Sequence, residues 1–435
     1  MKKTSTSKKY YEKARKIFPG GINHNIRFFY PYPFFTKEAK ANKIIDLDNN
    51  TYTDYWMGHW ALILGHSPSY LVNSLTKQIR KGTLYGTVND VSIDLANIIR
   101  KLMPNAENIR FSSTGSEATM YAVRLARART GKKIVGKIIG GWHGFNSSLL
   151  ESVNYPFEEK EGAGLDINDK YIVSIPFNDL TKSIKILNSV KNDLACIIVE
   201  PILAGAGCIP PNEDYLIGLQ EFSKKNNIIF ILDEIVTGFR LSINGAQKIF
   251  KLEPDLFTLG KIAGGGLPIG ILCGNKEIMS LANPINKPKN SYCAIGGGTF
   301  STNPLSMIAG IHTLKYLKEN NNSVYKKIDN LGKYVRKELY KLFSENKINV
   351  KITGIHSMFH IHFLNNNIKQ IKNATDVALC NKKLLFKYHF SLIALKNIFF
   401  LPYKMGAISY THSKKDIDYL LRSTNYIIDS GIMKE

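Results

Sequence analysis

Asp255-Leu-Phe-Thr-Leu-Gly-Lys-Ile-Ala-Gly-Gly-Gly266 sets Lys261 between a short apolar run and three glycines. Twenty-eight positions earlier, Asp233 closes a second apolar run, Ile228-Ile-Phe-Ile-Leu232. Neither run alternates apolar with polar residues. A strand that shows no alternation is buried on both faces, as in a parallel sheet covered by helices on each side. In such sheets ligands bind beyond the carboxyl ends of the strands, where Asp233 and Lys261 stand.

Working outward, Ile134-Val135 and Ala195-Cys-Ile-Ile-Val199 read as further strands of the same kind, separated by helical patterns from about 105 to 300. Residues 1–55 combine a helical start near Tyr10–Lys16, a proline and aromatic stretch from Phe28 to Phe35, and a strand near Ile44–Leu47. After 316, Lys351–Thr353 and Met358–Phe363 read as strands and Lys414–Ser430 as a terminal helix. The expected fold class is α/β. A large domain over 56–315 carries a mostly parallel sheet between helices, and a smaller α/β domain draws on 1–55 and 316–435.

The chain has 435 residues, enough for two or three cores. Its 44% hydrophobic content suits a soluble globular protein. No long uncharged apolar run predicts a membrane span, and the basic Met1–Lys9 stretch lacks the apolar centre of a signal peptide. Five cysteines without paired or metal-ligand spacing read as free thiols of a reducing cytoplasm. The net charge of +23 comes from lysines scattered through the chain, without a basic stripe interleaved with aromatics, so a nucleic-acid partner is not expected.

Four further segments carry chemistry. Phe111-Ser-Ser-Thr-Gly-Ser-Glu-Ala118 opens a helix, with Thr114 and Glu117 at capping-box spacing. Gly115 and Ser116 then lie at the helix N-terminus, where unpaired N–H groups and the helix dipole favour phosphate. Gly140-Gly-Trp-His-Gly144 puts Trp142 and His143 on a glycine-flanked loop. There Trp142 suits stacking on a flat ring, while His143 reads equally as a structural group or a cofactor-side one. Asp233-Glu-Ile-Val236 offers an acid that either caps a helix or holds a ligand, with Val236 either in the core or against a ring. Gly296-Gly-Gly-Thr299 lets backbone approach a phosphate with the Thr299 hydroxyl beside it, or is an ordinary turn. His360 and His362 share one strand face without a third ligand, which favours a structural role and no metal.

A lysine can form a Schiff base with an aldehyde, and an aspartate can keep a pyridine nitrogen protonated. Lys261 and Asp233 therefore point to pyridoxal 5'-phosphate as cofactor. The chain resembles the class III (fold type I) pyridoxal-phosphate-dependent aminotransferases from about Phe18 to its end. The branch it is most similar to is that of the glutamate-1-semialdehyde 2,1-aminomutases. The resemblance rests on Pro19–Asn23 with Arg27, Gly58–Trp60 with Leu64–His66, Ser113–Ala118 and Gly140–Gly144. It continues through Glu200-Pro201, Asp233–Arg240, Leu259–Gly266 and Gly298–Pro304, all in the family's order.

What the resemblance implies is a homodimer with shared active sites, a small-molecule amino donor and a carbonyl acceptor. It gives Lys261 the Schiff base, Asp233 the pyridine nitrogen, and Gly115, Ser116 and, from a partner chain, Thr299 the phosphate. Trp142 and Val236 take the two ring faces, Arg27 a substrate carboxylate and Trp60 a substrate-side aromatic role. The substrate residues depart from the family. His24 stands where aminomutases carry serine, and Pro402-Tyr-Lys-Met-Gly406 replaces a Ser-x-Phe-Glu segment. The gating region near 150–165 lacks its small-residue signature, and the acidic switch of ornithine- and GABA-type relatives is Gly205. Their late arginine has no match between Asn397 and His412. The expected activity is amino transfer from a donor to a separate carbonyl acceptor. The alternatives are the aminomutase reaction itself and, more remotely, a non-catalytic regulator built on the same fold.

Overall fold

The apolar runs become neighbouring strands of one seven-stranded sheet. In this computed structural model, which describes residues 3–155, 157, 171–286, 292–366 and 368–434, the spatial order is Asn108–Ser112, Gly270–Gly274, Leu256–Gly260, Ile229–Asp233, Leu194–Val199, Ile134–Ile138, Ile172–Ile175. Gly270–Gly274 runs antiparallel to both its neighbours, and the other pairings are parallel. The mostly parallel α/β sheet is thus as expected, with one reversed strand.

Every residue of Leu194–Val199 is fully buried. Burying one such aliphatic side chain contributes roughly 1.5–3 kcal/mol, which is why an unbroken apolar run settles mid-sheet. The helix Gly115–Thr130 begins at a capping box formed by Thr114 and Glu117, and it ends at Gly131, whose φ of 70° is left-handed. It buries Ala118, and it packs Ala122, Leu125 and Ala126 in a core shared with Val135, Cys196 and Ile231. Its small side chains let the helix lie close to the sheet, so its N-terminus sits level with the strand ends.

This sheet belongs to a unit of Tyr70–Tyr325 with Ile371–Ala378. A second unit consists of Met1–Ser69, Lys326–Gln370 and Leu379–Glu435. It holds a four-stranded sheet ordered Thr36–Lys40, Lys43–Asp46, Thr51–Asp54, Ile398–Phe399, whose last pair is parallel. Its other sheet has three strands, Val350–Thr353, Met358–Phe363 and Gly406–Ala407. The helix Lys414–Asp429 starts at a capping box of Ser413 and Asp416. Of the gating region near 150–165, residues 156 and 158–165 lie outside the described residues. No helix among the described residues is long and apolar enough to cross a membrane.

Candidate active site

Four adjacent strands deliver polar residues to one end of the large sheet. Ile134–Ile138 leads to the loop with Trp142 and His143, and Leu194–Val199 leads to Glu200. Ile229–Asp233 ends on Asp233, and Leu256–Gly260 leads directly to Lys261. Together with Gly115 and Ser116 they line a cavity of about 190 Å³. Val236, Gly144 and the apolar Ile235 and Ile269 complete its wall.

Asp233 is 4% exposed. Its Oδ1 accepts hydrogen bonds from the Ile235 N–H at 3.1 Å and the Thr258 hydroxyl at 2.9 Å. Its Oδ2 lies 2.8 Å from His143 Nδ1. No helix follows Asp233, so the helix-cap alternative is replaced by a buried, three-way-bonded carboxylate. Burial holds the His143 imidazole below its ordinary pKa against the opposing pull of Asp233. The neutral ring donates from Nδ1, and its buried Nε2 has no partner among the described residues.

Glu200 is the acid that reading the sequence left without a role, although it ends an apolar strand just as Asp233 does. It accepts from the Trp142 N–H at 3.0 Å and the Ala204 N–H at 3.3 Å, so it fixes the loop that carries Trp142. Burial, and then the Asp233 charge, push its carboxyl up to about 8. Burial also lowers the Lys261 ammonium pKa, while Asp233 and Glu200 act in the opposite direction. A lysine so placed becomes the neutral amine, and hence the nucleophile, more readily than an exposed one. The left-handed φ of 45° at Lys261 is followed by Gly265 and Gly266 at 58° and 97°, which turn the chain sharply after the strand.

At the opposite wall, the Glu117 carboxylate accepts from the Ser113 and Thr114 N–H groups, both at 2.9 Å. The next N–H groups, of Gly115 and Ser116, belong to the unpaired first turn of the helix. Ser116 Oγ accepts from Phe145 N at 2.9 Å, tying this turn to the Trp142 loop. A Cβ on Gly144 would come within 2.5 Å of Ser116 Cα, so the approach requires glycine there. The Trp142 side chain is 40% exposed at the cavity.

The remaining predicted residues are not among those that line this cavity. Thr299 sits exposed in a turn and does not line this cavity. Arg27 and Trp60 belong to the other unit. Arg27 is exposed in the short turn Asn25–Arg27, and Trp60 is buried with its indole N–H donating to the Met405 carbonyl at 3.1 Å. His360 and His362 are both buried in one strand, with His362 Nε2 2.8 Å from the Thr353 hydroxyl. Among the described residues no group of three or more potential ligands could hold a metal.

The donor set fits pyridoxal phosphate. It offers a buried carboxylate for a ring nitrogen, a lysine amine for an aldehyde, a helix N-terminus for a phosphate, and an unpartnered buried imidazole nitrogen. Residues 29–386 match the aminotransferase class-III family. The chain belongs to the class-III aminotransferases. It is therefore an enzyme of pyridoxal-phosphate-dependent amino transfer. It is 37% identical over 426 residues to glutamate-1-semialdehyde 2,1-aminomutase of Methanosphaera stadtmanae, with 97% of each chain covered. It is 38% identical to the enzyme of that name from Thermosipho melanesiensis, covering 94% and 95%. Among solved structures, an omega-transaminase from Sphaerobacter thermophilus superposes with a TM-score of 0.90 at 25% identity, covering 97% of each chain. The fold is also that of a glutamate-1-semialdehyde aminomutase from Pseudomonas aeruginosa, with a TM-score of 0.87 at 20% identity over 98% of this chain and 94% of that one.

Proposed function

We propose that the chain is a glutamate-1-semialdehyde 2,1-aminomutase, which moves an amino group between adjacent carbons of one carboxylate-bearing substrate. The observation that carries this reading is end-to-end similarity at 37–38% identity to curated enzymes of that name. Pyridoxal phosphate supplies an electron sink for negative charge left on the substrate carbon when a proton departs.

In this reading Lys261 is the covalent anchor and, once released, the group that takes and returns the proton. Asp233, fixed by His143 and Thr258, holds the pyridine nitrogen's proton. Gly115 and Ser116 bind the phosphate through N–H groups. Trp142 and Val236 lie against the two ring faces, and Glu200 holds the Trp142 loop in place. In a homodimer Thr299 serves the partner's phosphate. Arg27 binds the substrate carboxylate with Trp60 as its aromatic neighbour. The free cysteines fit a cytoplasmic enzyme.

A second reading, transfer from a separate amino donor to a carbonyl acceptor, draws support from His24 and Lys404, which stand in the two segments that depart from the aminomutase pattern. One experiment separates the two. The purified enzyme is given glutamate-1-semialdehyde with no other donor. Rapid formation of 5-aminolevulinate supports the aminomutase; product only on adding an external donor supports the transaminase.

A further inference from the structure

Lysine and arginine are scattered along the sequence, but the two units do not share the charge evenly. The second unit holds 29 of them against 12 aspartates and glutamates, so it carries +17 of the chain's +23. In the large unit the balance is 29 against 23. An excess of that size attracts polyanions to the second unit.

The terminal helix Lys414–Asp429 of that unit organises part of this charge. Its exposed residues include Lys415, Tyr419, Arg422 and Tyr426, whose spacings of four, three and four put them on one side of the helix. Base and aromatic alternate along this face for roughly 16 Å, at about 1.5 Å per residue. No such stripe is visible in the sequence, because other residues separate its members; winding the helix brings them into line. The acids of the helix are already engaged. Asp416 pairs with Lys43 at 3.1 Å, Asp418 with Lys414 at 3.0 Å, and Asp429 accepts from the Asn425 amide at 2.7 Å. Among the described residues Lys415 and Arg422 make no ion pair.

Both rings are held by one neighbour. The Tyr419 hydroxyl donates to the Lys396 carbonyl at 2.8 Å, and the Lys396 ammonium lies 3.2 Å from the centre of the Tyr426 ring. The two tyrosines are still 38% and 50% exposed. An aromatic side chain fixed in this way can stack on a flat partner with little further loss of side-chain entropy.

We propose that this helix face is a binding surface for a single-stranded polynucleotide, with Lys415 and Arg422 on phosphates and Tyr419 and Tyr426 stacked on bases. It stands independently of the amino-transfer reading. Alternating cations and aromatic faces match a strand whose bases are free to stack. An acidic peptide matches the cations but offers no run of flat rings. An anionic membrane calls for an apolar face, and none of the exposed residues of this helix is aliphatic. At about 3.4 Å per nucleotide the stripe spans roughly five of them.

The test follows fluorescein-labelled dodecauridylate by anisotropy on the full-length, cofactor-loaded protein, across about 50 to 200 mM salt. Inorganic polyphosphate, which has charge but no bases, serves as the second ligand. The variants are Arg422→Gln, Tyr419→Ala with Tyr426→Ala, and the same two positions changed to Phe, with thermal melting to check folding. We expect the double Ala variant to bind the oligonucleotide about tenfold or more weakly, the double Phe variant to stay within about threefold, and polyphosphate to bind all alike. Arg422→Gln should lower the slope of log affinity against log salt by about 0.7. Absence of oligonucleotide binding by wild type at the lowest salt overturns the proposal. So does equal oligonucleotide affinity in wild type and the double Ala variant, or equal loss of oligonucleotide and polyphosphate binding in that variant.

Discussion

His143 donates from Nδ1 to Asp233 Oδ2 at 2.8 Å, with both side chains almost wholly buried. The pair fixes the carboxylate on one side while Thr258 and the Ile235 N–H fix it on the other. Asp233 is thus held in place at the cavity from both sides, and burial keeps the imidazole that faces it below its ordinary pKa.

Asp233→Asn should therefore leave the fold intact and cut kcat by two orders of magnitude or more, about 2.7 kcal/mol of transition-state stabilisation. Single-turnover absorbance would follow proton removal, and circular dichroism would verify folding. His143→Phe should cost less, because Thr258 and the Ile235 N–H still hold Asp233. A near-normal kcat for the Asn variant would reduce Asp233 to a structural acid.

For Lys261, borohydride reduction of the loaded enzyme followed by peptide mapping should place the cofactor on this residue. Lys261→Ala should still bind cofactor but lose turnover by several orders of magnitude. A label on another lysine would remove Lys261 from the anchoring role.

Glu200 makes stability depend on pH. Its carboxyl titrates near 8 in the fold, above the ordinary value of an unfolded glutamate. A raised folded pKa means stability is fully present below the unfolded value and is lost as pH rises through about 8. The melting temperature of the cofactor-free protein should fall between about pH 5 and pH 8.5, and Glu200→Gln should flatten that fall. Parallel pH profiles for the two proteins would assign the dependence elsewhere.

Gly144 has φ of 91° and no room for a Cβ beside Ser116. Gly144→Ala should destabilise the protein by roughly 1–3 kcal/mol and shift the helix N-terminus that offers its N–H groups to phosphate. Equilibrium dialysis should then show weakened pyridoxal phosphate binding. Unchanged affinity with a lowered melting temperature would separate the loop from the phosphate site.

Much of the large unit was legible in sequence because its signals are local. Unalternating apolar runs mark strands buried on both faces, and in the second unit Met358–Phe363 forms a strand over the residues expected. The Thr114–Glu117 spacing writes a helix start into four residues. Those features depend on burial periodicity and on hydrogen bonds between near neighbours, which a chain carries with it. What only the tertiary structure decided depends on pairing at long range. Reversal of Gly270–Gly274 between two strands is set by which edges meet, and no residue in that strand announces it. Asp233 could have capped a helix until His143, ninety positions away, and Thr258 converged on it. Glu200 looked like a strand end until burial paired it with the Trp142 backbone. His24 and Lys404 stand 380 positions apart as separate departures from a family pattern; folding lets the Lys404 ammonium help lower the His24 pKa, and a Coulomb interaction depends on distance in space, not along the chain.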